Sequence, residues 1–70
     1  MSFIPRHLEE GDHVRLIVSA SNSVGTFEAG HVFEVMEVRR GRDGDVYDLR
    51  DRDLNMLFDV SAAECEPVTL

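Results

Sequence analysis

The stretch from residue 30 to residue 51 constrains the fold more than any other part of the chain. Two segments rich in Val, Phe, Met and Tyr flank five residues, 41–45, that include two glycines. Glycine adopts positive φ without steric cost and is therefore common at the tip of a hairpin. We predict an antiparallel β-hairpin with strands at 31–39 and 46–51, and we expect the other strands to be added around it.

The segments on either side of the hairpin carry the signals of further short elements. Val14, Leu16 and Val18 alternate onto one face, as a half-buried strand requires. Ser61 and Glu64 have the spacing of a capping box, which indicates a helical turn. The predicted elements outside the hairpin are strands at 13–20, 55–60 and 65–70 and a helical turn at 61–64.

Two irregular features are expected near the hairpin. The strand at 31–39 has apolar residues on both faces, which predicts a bend or a β-bulge. The loop-forming segment 21–30 is long for a connection in a domain of this size, and such loops are often functional. Phe27 within it either folds back over the core, which is the favoured alternative because aromatic side chains are usually buried, or projects outward as a contact.

Length and composition place the chain among small domains without disulfides. Its 70 residues make one domain with a small core, which we divide into an arm at 1–9 and a folded unit at 10–70. Cys65 is the only cysteine, so an internal disulfide framework and a multi-cysteine zinc site are excluded. No signal peptide or membrane-spanning run is found, and we therefore expect a cytoplasmic protein that does not act on membranes.

The charge balance bears on the kind of partner. Seven arginines, no lysines and fourteen acidic residues give a net charge of −7, which disfavours general binding to a phosphate backbone. A local patch remains possible at the hairpin, where arginines would share one end of the sheet. The alternative, which we favour, is that these arginines pair with interleaved aspartates of the hairpin. The arginines concerned are Arg39, Arg40, Arg42, Arg50 and Arg52.

Three patterns that suggest a metal site or a catalytic nucleophile are each better explained by a structural role. Oxygen ligands from residue 51 to residue 59 resemble a calcium loop, but the required Gly and Glu are missing. The imidazoles of His13 and His31 would begin strands, yet their spacing matches no zinc motif. Cys65 lies between two glutamates that disfavour the thiolate, so we expect a buried structural cysteine. We predict no catalytic residue, no metal and no cofactor.

The chain resembles the Src-homology-3-like (SH3-like) small barrels over residues 10–69. The sequence Gly-Asp-His-Val at 11–14 looks like the Gly-Asp-x-Val opening of bacterial members, and residues 60–68 look like their helical turn and closing strand. The resemblance implies an all-β fold, a single five-stranded barrel with one helical turn before the last strand. The chain has no tryptophan and lacks the Ala-Leu-Tyr-Asp-Tyr stretch, so capture of proline-rich peptides is not implied.

The function expected from these features is a non-catalytic module that binds another protein or docks on a larger assembly. The alternative is a KOW-like or Tudor-like contact to nucleic acid or the ribosome through the arginines, which the resemblance also allows. Aromatic and arginine side chains carry much of the binding energy at interfaces. We therefore expect the contact surface to include Thr26, Phe27 and Glu28 of the long loop, with Arg39, Arg40, Arg42, Arg50 and Arg52 beside them.

Overall fold

The computed structural model describes residues 8–23 and 25–69, and this part of the chain is mostly β-strand. A single short 3-10 turn, Ala62–Glu64, precedes the last strand. The strands in chain order are β1 His13–Leu16, β2 Ala20–Ser21, β3 Thr26–Phe27, β4 Val32–Gly41, β5 Gly44–Arg50, β6 Met56–Ser61 and β7 Cys65–Val68.

The predicted hairpin is confirmed as β4 and β5, although its strands are longer and its tip is tighter than expected. The antiparallel register runs from Glu34 opposite Arg50 to Gly41 opposite Gly44. Gly44 has a φ of +124°, which L-residues rarely adopt. A Cβ atom on Gly41 would lie 2.7 Å from the carbonyl oxygen of Gly44. Gly41 and Gly44 lie opposite each other in this register, so only residues 42 and 43 form the turn.

The strands form two sheets, which corrects the expectation of a single five-stranded barrel. The larger sheet has the order β6-β5-β4-β1-β7, and β2 pairs with β3 in a separate two-stranded sheet. Within the described residues no strand pairing joins β6 to β7, so the sheets are not closed into a barrel. The strand predicted at 13–20 ends at Leu16, and the predicted loop at 21–30 instead supplies β3 and part of β2.

Two irregularities bend the central strands. The register between β4 and β5 shifts between Val35 and Glu37, which confirms the predicted bulge. A second register shift occurs in the pairing of β5 with β6, between Tyr47, which lies opposite Val60, and Leu49, which lies opposite Leu57. Asp59 on the β6 side of this shift has a φ of +58°, the left-handed conformation that Asp tolerates better than most residues. These bulges increase the local twist of the sheet.

One hydrophobic core is packed against one face of the larger sheet. Phe27 is 7% exposed and packs edge-on against Phe33, so the favoured alternative for this aromatic is confirmed. Leu8, the last apolar residue of the predicted arm at 1–9, is also buried and belongs to the core. The rest of the predicted arm, residues 1–7, lies outside the described residues. The core consists of Leu8, Val14, Leu16, Phe27, Phe33, Val35, Tyr47, Leu49, Leu57, Val60 and Cys65.

The predicted capping box is present at the turn before β7. The Ser61 side chain accepts a hydrogen bond from the backbone N–H of Ala63, and the Glu64 carboxylate accepts one from the backbone N–H of Ser61. This turn delivers Cys65 to β7, where it pairs with Leu16. In the described part of the chain, no helix has the length and apolar character needed to cross a membrane.

Candidate functional site

A groove with a volume of about 610 Å³ borders the face of the larger sheet that points away from the core, and the core residue Phe33 also reaches it. Side chains alternate along each strand, so the residues next to buried Val14, Phe33 and Leu49 project onto this outer face. The groove is lined by His13, Val32, Phe33, Glu34, Arg50, Asp51, Arg52 and Leu54.

A row of polar side chains crosses the floor of the groove from β1 to β5. His13 lies opposite Glu34, and Glu34 lies opposite Arg50 in the neighbouring pair of strands. An oxygen of the Glu34 carboxylate is 3.5 Å from a guanidinium nitrogen of Arg50. The positive charge of Arg50 is therefore balanced within the groove.

One wall of the groove is the turn at residues 51–55, here called the groove turn. The backbone N–H of Asp51 donates to the carbonyl of Asn55, and the N–H of Leu54 donates to the carbonyl of Asp51. The Asp51 carboxylate accepts hydrogen bonds from the backbone N–H groups of Asp53 and Asn55 at 3.0 and 2.8 Å. Asp51 thus closes the turn with both its main chain and its side chain.

The same carboxylate connects the groove turn to the segment before β4. Its Oδ2 atom lies 3.0 Å from Nε2 of His31 and accepts a hydrogen bond from the Asn55 side-chain amide at 3.2 Å. Burial alone would raise the pKa of Asp51, but the hydrogen bonds from Asn55, His31 and Asp53 hold it below the usual value. The charged carboxylate is therefore the form that the fold stabilises.

Two side chains of the groove turn, Arg52 and Leu54, are exposed and line the groove. Leu54 is 69% exposed and has a φ of +67°. A left-handed backbone costs a non-glycine residue roughly 1–2 kcal/mol, and for a bulky apolar residue it is a marked outlier. Arg52 is exposed and makes no ion pair with any residue in the described ranges. Both side chains line the groove.

The arginines predicted near the hairpin tip are mostly paired, as the favoured alternative stated. The Arg39 guanidinium donates two hydrogen bonds to the Asp48 carboxylate, at 2.8 and 2.9 Å. These hydrogen bonds, opposed by burial, hold the pKa of Asp48 below its usual value. Arg40 pairs with Asp45 at 2.6 Å. Arg42 is exposed and has no ion pair among the described residues.

The five arginines do not share one end of the sheet, which corrects the expectation from sequence. Arg40 lies near the tip, opposite Asp45, whereas Arg50 lies opposite Glu34 at the other end of the hairpin. The two positions are six residues apart along β4, which corresponds to about 20 Å in an extended strand. Arg50 and Arg52 therefore belong to the groove, and Arg39, Arg40 and Arg42 belong to the tip.

The loop residues predicted for binding lie at the groove end of the hairpin, away from the tip. Thr26 pairs with Ser21 and is exposed, and Glu28 is exposed as well. The Glu28 carbonyl accepts a hydrogen bond from the backbone N–H of His31. Phe27 lies in the core with its ring 5.2 Å from the His31 ring, so it does not form an exposed anchor.

The alternatives that involved metals or a nucleophile find structural explanations. Asp51 directs its carboxylate at donors of its own turn rather than at a shared calcium position. Among the described residues no group of three or more His, Cys, Asp or Glu converges on a metal position, and His7 lies outside those residues. Burial, reinforced by Glu64, raises the pKa of the Cys65 thiol to about 11. The expected buried structural cysteine is confirmed.

Sequence reasoning missed the two residues that define the groove turn, Asp51 and Leu54. The signal for Asp51 was present, because Asp followed by Asn at a turn often bonds its own backbone. Leu54 carried no such signal, since Leu is unfavourable at positive φ and its conformation depends on the surrounding contacts. From the sequence, this segment was considered as an imperfect calcium loop.

Comparison with known proteins found no matching family model, no matching curated protein and no matching solved structure.

Proposed function

We propose that this protein is a non-catalytic interaction module that binds a protein partner in the groove on its outer sheet face. The proposal rests on one observation: Leu54 is 69% exposed and held at a φ of +67° on the groove wall. Backbone strain at a surface position often accompanies function, because neither folding nor solubility favours it. An exposed aliphatic side chain in a preformed groove is suited to bind an apolar side chain of a partner.

The resemblance to SH3-like barrels bears on the kind of module that this protein is. The 3-10 turn before the last strand and the long bent hairpin support that resemblance, and the resemblance implies an accessory module of a larger assembly. We propose a cytoplasmic location, with which a single free thiol and no disulfide are compatible.

Contact with nucleic acid through an arginine patch has less support. Arg39, Arg40 and Arg50 each form an ion pair with an acidic residue. Charges neutralised in this way contribute little to phosphate binding, and the net charge of −7 opposes it further. Nucleic-acid binding is therefore one outcome that the test below distinguishes.

The test compares capture of partners from an extract of the source cells by three baits, with and without nuclease. The baits are the natural protein, Leu54→Gly and Phe58→Ser. Phe58 is a matched control because it is an exposed apolar residue, at 60%, that does not line the groove. Leu54→Gly removes strain of about 1–2 kcal/mol and adds about 0.5–1 kcal/mol of backbone entropy cost, so the fold should be retained.

We expect a nuclease-resistant protein partner that Phe58→Ser retains and Leu54→Gly loses. A partner captured equally by Leu54→Gly would show that the groove is not the binding site. Loss of all partners after nuclease treatment would favour the nucleic-acid alternative and contradict the proposal.

A further inference from the structure

The side chains at the groove also indicate the chemistry of the partner, and this inference rests on the proposed function. We propose that the groove binds a peptide segment in which an aliphatic side chain lies within two residues of a single carboxylate. The aliphatic group would contact Leu54 and Val32, and the carboxylate would pair with Arg52.

The apolar half of this recognition comes from two exposed side chains on neighbouring parts of the groove. Val32 is 38% exposed at the start of β4, and Leu54 is 69% exposed on the groove turn. Both line the same groove, so one aliphatic side chain of a partner can be shielded from water by both. Charged side chains on the floor limit this apolar surface to one end of the groove.

The polar half comes from the guanidinium in the groove lining that has no acidic partner among the described residues. Arg50 is paired with Glu34, and the Asp51 carboxylate is occupied by donors of its own turn and by His31. Arg52 is the groove cation that no described acidic residue pairs with. A guanidinium binds a carboxylate through two parallel hydrogen bonds, so a carboxylate is a well-matched partner group.

The spacing of the two recognition elements on this chain sets the spacing expected on the partner. Arg52 and Leu54 are two residues apart on the same short turn. In an extended peptide, residues two apart project on the same side and are separated by about 7 Å. An aliphatic residue and an acidic residue within that interval can therefore contact both side chains at once.

The net charge of the whole chain restricts the partner to one carboxylate rather than a polyanion. The chain carries −7, and the attraction of a single exposed arginine decays over a Debye length of about 8 Å at physiological salt. A polyanionic chain would extend beyond that distance over an acidic surface and be repelled. A single carboxylate beside an aliphatic group avoids this repulsion.

The experiment selects peptides from a displayed random library on the full chain, using four baits in parallel. The baits are the natural protein, Leu54→Gly, Arg52→Glu and Arg42→Glu. Arg42 is the matched control because it is another exposed arginine without a described ion pair, and it lies at the hairpin tip instead of the groove. Peptides enriched on the natural protein are then synthesised with the acidic residue as Asp or as Asn.

We expect enriched peptides to combine an aliphatic residue with Asp or Glu within two positions. Arg42→Glu should retain them, Leu54→Gly should lose them, and Arg52→Glu should select Lys or Arg at the acidic position. Exchange of Asp for Asn in the peptide should weaken binding by about fivefold, the upper range for an exposed ion pair.

The outcomes separate this inference from the function on which it rests. Peptides that depend on Leu54 but show no acidic preference would overturn the inference and leave the proposed function standing. Peptides that bind Leu54→Gly as well as the natural protein, or no enrichment on any bait, would contradict both.

Discussion

Replacing Asp51 with alanine removes an acceptor that receives four hydrogen bonds at the wall of the groove. Two of the donors are backbone N–H groups of the groove turn, at residues 53 and 55. The other two belong to the side chains of His31 and Asn55. The Asp51 residue is 5% exposed, so water cannot simply take the place of its carboxylate in the intact turn.

The magnitude follows from the two backbone donors. A hydrogen bond to a charged acceptor contributes about 1.5–3 kcal/mol, and the lower value applies because the turn is near the surface. Since His31 and Asn55 are only partly buried, water can replace their share. Asp51→Ala should therefore reduce the free energy of unfolding by about 3 kcal/mol. The whole domain, at about 0.05–0.15 kcal/mol per residue, has roughly 4–10 kcal/mol.

Urea unfolding at pH 7 measures this loss. With an m-value of about 1 kcal/mol/M for a domain of this size, the midpoint should fall by about 3 M. Asp53→Ala is the matched control, because it removes the same charge two residues away while keeping the backbone N–H that donates to Asp51. It should change the midpoint little. If Asp51→Ala lowers the free energy of unfolding by less than about 1 kcal/mol, the assigned role of this carboxylate is wrong.

Other perturbations have equally definite expectations. Acidification below the ordinary Asp pKa of about 3.9 should destabilise the natural protein, because the pKa of Asp51 in the folded state is lower still. The stabilisation from the charged Asp51 carboxylate is then lost as the pH falls through the folded-state pKa. In urea titrations at acid pH, Asp51→Ala should therefore lose stability less steeply than the natural protein. Arg39→Glu should lower the melting temperature by breaking the pair with Asp48, whereas Arg42→Glu should leave it unchanged in calorimetry. Alkylation of Cys65 near pH 8 should be roughly a hundredfold slower in the folded protein than in urea, because a pKa of about 11 against 9.0 lowers the thiolate fraction by about that factor. Equal rates would contradict the burial of Cys65.

The hairpin and the capping box could be predicted because their signals are local. Two glycines between apolar segments determine the tip, and Ser61 with Glu64 determines the cap, whatever the rest of the chain does. The bulge was predictable for the same reason, since apolar residues on both faces of one strand in a small domain favour a bend or a β-bulge.

The ends of the first strand and the placement of the arginines depended on contacts that a sequence does not display. Val18 continues the alternation of Val14 and Leu16, yet it is 42% exposed because β1 ends at Leu16. Whether Arg50 lies near Arg40 depends on the register of the hairpin, and that register carries it to the opposite end. The groove was missed because its wall depends on the conformation of Leu54, which the hydrogen bonds of its own turn hold against the preference of Leu.

The most direct test of the central claim is an NMR titration of the isotope-labelled protein with the partner recovered by the natural bait. Binding in the groove predicts that the largest chemical-shift changes fall on the amides of Val32, Glu34, Arg52 and Leu54. The amides at residues 41–44, at the far end of the hairpin, should change little. Changes concentrated at the hairpin tip, with the groove amides unaffected, would contradict the account.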